Sequence, residues 1–119
     1  MGSDDVNGLS ELELKLFRLA RSARARVEAA EGAAVVDETG RTYSAATVSL
    51  PHLELSALGL AVATACAAGA REVTAAIVVG TGGGVAAADA EVFADLAGPG
   101  AGLLRCAADQ RVMARLVAP

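Results

Sequence analysis

Residues 32–58 read GAAVVDETGRTYSAATVSLPHLELSAL, and the order of patterns in this stretch decides the fold class. Ala33 to Asp37 is a short apolar run of strand character. Glu38-Thr39-Gly40 is a turn signal, because Gly40 can take positive φ without a steric penalty. Thr42 to Val48 reads as a second strand, so the two runs form a β-hairpin. The next helix is expected to open around Ser49 to Pro51. Proline is tolerated in a first helical turn, Ser49 is a suitable cap, and Gly69 supplies the stop.

Upstream, Ser10 and Glu13 form a capping box, and Leu9 with Leu14 is the matching hydrophobic staple. Leu12, Leu16, Leu19 and Ala20 continue at helical spacing, so a first helix runs from Ser10 to about Glu28. Residues 1–8, MGSDDVNG, are polar and acidic and are expected to be disordered; residues 9–119 form a single domain. Downstream, Val73 to Val79 is a β-rich run suited to a central strand. Ala86 to Ala97 is a third helix with Val92, Phe93 and Leu96 facing inward, broken by Gly98-Pro99-Gly100. Leu103 to Cys106 and Val112 to Val117 are the final strands. A hairpin followed by crossovers implies an α/β fold in which about three helices cover a mixed five-stranded sheet.

The chain has 119 residues, which suits one domain. Apolar residues make up 54% and aromatics 3%, so the core is built from Ala, Val and Leu. A net charge of −4 and a pI near 4.9 argue against non-specific binding to nucleic acid or to an anionic membrane. The cluster RLARSARAR, residues 18–26, is the basic exception. Glu11 and Glu13 at the start of its helix and arginines at its end suit the helix dipole, which favours a solvated helix over an RNA-binding face. Cys66 and Cys106 have no CxxC partners, and no signal peptide is apparent, so a reduced cytoplasmic setting is expected. The Ala-rich run Leu55 to Ala70 is shorter than the roughly 20 residues of a membrane span. It is apolar nearly all round, which implies a helix buried on more than one side. One face is expected to meet the sheet and another a neighbouring subunit, making the chain a homo-oligomer through Leu55–Ala68.

GTGGG, residues 80–84, lies between a strand and a helix as a phosphate loop does. The Lys-Ser/Thr pair of a Walker loop is absent, and the Rossmann spacing is not met, so the segment reads as a mobile loop.

From Gly32 to Val117 the chain resembles the cytidine deaminase family, blasticidin-type deaminases included. GAAVVDETGR is similar to the family's first hairpin, GAA…DGR. LPHLELSAL is similar to its PCAE helix start, and DAEVFADLAG to its PCxxCRQVLxEF helix. In that family one Cys or His at the start of helix two and two Cys at the start of helix three hold zinc, and a Glu shuttles the proton. Three ligands leave one position open for a water whose pKa the metal lowers.

Carried onto this chain, the resemblance puts His52 on the first ligand and Glu54 on the proton-shuttling Glu. Val85 to Asp89 falls on PCxxC, so Ala86 and Asp89 stand where the two cysteines would be. Ala86 has no donor atom. The family's FTGCNVEN strand, whose Asn and Glu hold the ribose, falls on YSAATVSL, leaving Thr47 and Ser49 at those positions. The segment between Val48 and His52 is several residues shorter than in the family. The family's SxFxVGAA aromatic contact is absent from VEAAEGAAV, residues 27–35, so metal, sugar and ring contacts are degraded together. The expectation is therefore a zinc-free, non-catalytic relative that works as an oligomeric binding or scaffold module without a cofactor. Two alternatives follow: an enzyme using His52, Glu54 and Asp89 with an atypical metal, and an RNA- or ribosome-associated accessory using Arg18 to Arg26.

Overall fold

A computed structural model describes residues 8–119. The expected disorder of the N-terminal residues falls, for residues 1–7, outside the described ones. The capping box is made as the sequence requires. Ser10 Oγ accepts from the Glu13 N–H at 3.1 Å, and Glu13 Oε1 accepts from the Ser10 N–H at 2.9 Å. Helix α1, Glu11–Arg26, follows. Leu9 is fully buried at its entry, and Leu14 packs on the same cluster.

Strand β1, Glu31–Asp37, and strand β2, Thr42–Ala46, form the expected hairpin, with Gly40 at φ +90° in the turn. The chain then departs from expectation. The second strand stops at Ala46. Strand β3, Val48–Leu50, turns back through Pro51 and His52 into strand β4, Leu53–Leu55, and the two make a small separate sheet. Helix α2 runs Ala57–Ala67 and does not begin at Ser49 to Pro51. The reason is local. Leu53-Glu54-Leu55 alternates with period two, which suits a strand. Ser56 caps the helix, its Oγ accepting from the Gly59 N–H at 2.9 Å.

Strand β5, Val73–Gly80, pairs antiparallel with β1. Helix α3, Ala87–Leu96, carries the crossover to strand β6, Ala97–Cys106, which pairs parallel with β5. Gly98-Pro99-Gly100 lies inside β6 and does not separate it from the helix. Gly100 takes φ +80° and donates to Ala118 O at 3.0 Å. A Cβ at Gly98 would strike the Glu72 carboxylate. Strand β7, Val112–Val117, closes the sheet in the order β2-β1-β5-β6-β7. The architecture is the expected one: three helices on a mixed five-stranded sheet.

Alternation along the strands divides the core in two. Ala34, Val36, Ile77, Val79, Leu104 and Cys106 meet Leu16, Phe17 and Ala20 of α1 on one face. Ala33, Val35, Ala76, Val78 and Leu103 meet α2 and Phe93 of α3 on the other. The sheet is thus the middle of three layers, and the N-terminal ends of α2 and α3 come together on its second face.

Candidate functional site

Two helix starts define the site. Ser56, the N-cap of α2, donates its hydroxyl to Asp89 Oδ1 at 2.7 Å while accepting from the Gly59 N–H. Asp89 sits in the first turn of α3 and is only 5% exposed. It does not cap that helix. Ala86 occupies the N-cap and makes no side-chain capping bond. Leu58, in the first turn of α2, is fully buried among apolar neighbours.

His52 is exposed in the turn between β3 and β4, and Glu54 is exposed on β4. Neither stands in a helical first turn, the place expected for both. Thr47, Val48, Ser49, Glu54, Leu55 and Ser56 surround a hollow of about 290 Å³. The structure therefore brings Thr47, Ser49 and Glu54 together beside Ser56. His52, Ala86 and Asp89 do not line this hollow, though Asp89 is tied to it through Ser56.

Thr47 is committed to structure. Its Oγ1 accepts from the Glu31 N–H at 3.0 Å and donates to Glu31 O at 3.2 Å, while its own N–H donates to the same carbonyl. These bonds stitch the link between β2 and β3 to the start of β1. Ser49 is exposed on β3, in register with Glu54.

The loop after β5 is anchored from β6. Arg105 is buried, pairs with Glu31, and donates from Nε to Gly82 O at 2.6 Å. In the basic cluster of α1, Arg24 donates to Ala29 O at 3.2 Å and Arg21 lies over the Phe17 ring at 5.1 Å. Two of its arginines thus have local structural partners.

A family model for cytidine deaminase-like proteins matches residues 9–110. The chain belongs to the cytidine deaminase-like family. No curated protein matches it significantly. Among solved structures, a cytidine deaminase from Burkholderia pseudomallei superposes with a TM-score of 0.76 at 24% identity, covering 87% of this chain and 91% of that one. A cytidine deaminase from Mycobacterium leprae superposes with a TM-score of 0.63 at 16% identity, covering 87% and 90%. At these identities the likeness is one of fold.

Membership of the cytidine deaminase-like family makes zinc the group to test against the residues present. At the starts of helices two and three this chain offers a hydroxyl from Ser56, a methyl from Ala86 and a carboxylate from Asp89. Zinc sites of this kind use thiolate or imidazole ligands, three from the protein. One position here has no donor, and the other two are already bonded to each other. These residues do not fit the metal. Among the described residues no three His, Cys, Asp or Glu side chains cluster closely enough to hold one elsewhere.

Sequence reading missed Ser56. The signal was present in a serine immediately before the uninterrupted apolar run ALGLAVA, but Ser49 with Pro51 offered a competing start.

Proposed function

We propose that this cytidine deaminase-like chain is non-catalytic and acts as an oligomeric binding or scaffold module in the cytoplasm. The observation that carries the reading is the hydrogen bond from Ser56 to Asp89 at the junction of the two helix starts. Hydrolytic deamination needs an activated water and a residue to shuttle its proton. Here the junction lacks a ligand set, and the position two after Ser56, where the family's Glu follows its ligand, is the buried Leu58. Glu54 borders the neighbouring hollow, but its carboxylate is exposed on a strand.

The oligomer is supported by α2. Ala57–Ala67 contains no charged residue. Its inner side, Ala57, Leu58, Ala61, Val62 and Ala65, is buried in the chain, while Ala63, Thr64, Cys66 and Ala67 are exposed. Leu60 and the exposed Leu50 border a second hollow of about 450 Å³ next to this helix. No helix among the described residues is long and apolar enough to cross a membrane. The free thiols Cys66 and Cys106 fit a reducing compartment.

The test is elemental analysis of protein purified without chelator and then offered zinc, together with ammonia release from nucleosides and free bases. The expected result is no retained zinc and no deamination. About one tightly held zinc per chain, lost in Asp89→Ala or His52→Ala, with turnover of any such substrate, would restore an enzyme.

A further inference from the structure

We infer that the Ser56–Asp89 pair does the mechanical and electrostatic work of a metal at this junction, holding the starts of α2 and α3 together in a chain that needs none. The inference rests on the metal-free reading above and adds a role for the residues that remain. Two helix N-termini approach each other here, each carrying partial positive charge on unpaired N–H groups. Bringing like ends together is unfavourable unless a negative charge lies between them. A divalent ion held by three thiolates carries one net negative charge, and so does a carboxylate. Asp89 supplies that charge from the first turn of α3, where it is only 5% exposed.

The cross-link is equally specific. Ser56 Oγ faces two ways, accepting from Gly59 N–H within its own helix and donating across to Asp89 Oδ1 at 2.7 Å. The two residues are 33 apart in sequence, so the bond fixes tertiary geometry rather than local structure. It is the one side-chain hydrogen bond between α3 and the start of α2 among the described residues, beside apolar packing of Phe93 and Val92 against α2. The missing cap at Ala86 fits the same picture, because Asp89 is oriented by Ser56 and not by its own helix end.

The experiment is a double-mutant cycle on the intact protein, read by urea unfolding with and without a chelator. The variants are Ser56→Ala, Asp89→Ala and the double substitution. The capping bond to Gly59 is lost in both backgrounds and cancels. A coupling of about tenfold or more in the unfolding equilibrium constant is expected for a buried bond to a carboxylate, and the wild-type midpoint should ignore chelator. Additive single effects in a zinc-free protein would overturn this inference and leave the non-catalytic reading standing. A midpoint lowered by chelator, with zinc recovered, would overturn both. A second arm guards against variants that do not fold. S56C/A86C/D89C should bind one cobalt ion with thiolate absorption, since its three positions share the junction. A folded triple variant that takes up no cobalt would show that they do not converge, and would sink the substitution argument.

Discussion

Asp37 closes the β1–β2 hairpin with a single carboxylate. Its Oδ1 accepts from the Thr39 N–H, the Thr39 hydroxyl and the Arg41 N–H, and its Oδ2 from the Tyr43 hydroxyl at 2.8 Å. Burial alone would raise its pKa, but the four donors outweigh burial and hold it at about 2 against an ordinary 3.8. A depressed native pKa means that the bonded carboxylate stabilises the fold above the unfolded value. That contribution drains away as pH falls from about 4 toward 2. The urea midpoint of the wild-type chain should therefore drop across this window more steeply than that of Asp37→Ala, which should start lower at pH 7. Parallel curves for the two proteins would show that Asp37 carries no acid-dependent stability. The Tyr43–Asp37 bond in turn raises the Tyr43 hydroxyl, with burial adding to it.

At the scale of elements, α1 sits directly on the backbone of β1. Gly32 lies against α1 so closely that a Cβ there would collide with Ala20 O and crowd Arg24 Cβ. The obstructing atom is backbone, so side-chain movement cannot relieve it. Gly32→Ala should cost about 2 kcal/mol or more, at the upper end of overpacking substitutions. Thermal or urea unfolding measures this directly; a variant as stable as wild type would mean that α1 does not sit at this depth. Helix α1 and strands β1 and β5 are legible in sequence because their signals are mutually consistent. Ser10 and Glu13 agree with the Leu16–Ala20 spacing, and Val73–Val79 has no competitor. The stretch Val48–Ser56 is different. Ser49 and Pro51 carry a complete helix-start signal, and only the extended pairing of Val48–Leu50 with Leu53–Leu55 overrides it. That pairing is a local hairpin, signalled only by the brief period-two alternation of Leu53-Glu54-Leu55, which is too short to outweigh Ser49 and Pro51. A helix start at Ser49 to Pro51 would put His52 and Glu54 in its first turn and Ser56 beyond it, whereas the true start makes Ser56 the cap. The position of Asp89 was legible, because Val92 and Phe93 fix the frame of α3, but its bond to a residue 33 positions earlier was not.

For the whole molecule, the open question of physical chemistry is what covers the outer side of α2. A helix with no charge on any face is ordinarily buried all round, yet Ala63, Thr64, Cys66 and Ala67 are exposed on the single chain. If a second copy covers them, the two thiols become reporters of assembly. Cys106 is fully buried, and its pKa is pushed up to about 11 by burial first and by Glu13 second, against a smaller opposing effect of Arg115. Since the thiolate is the nucleophile, Cys106 should stay unreactive toward a disulfide reagent until the chain unfolds. Cys66 should react slowly in the assembled protein and fast once assembly is broken. Ala63→Glu places a charge at the centre of the uncharged face and should convert a dimer or tetramer, seen by sedimentation at micromolar concentration, into monomer. In that variant one thiol per chain should react quickly and the second only in denaturant. A wild-type chain that sediments as a monomer and exposes Cys66 at the rate of a free thiol would remove the oligomer, leaving a scaffold to be sought on the Leu50–Leu60 side instead.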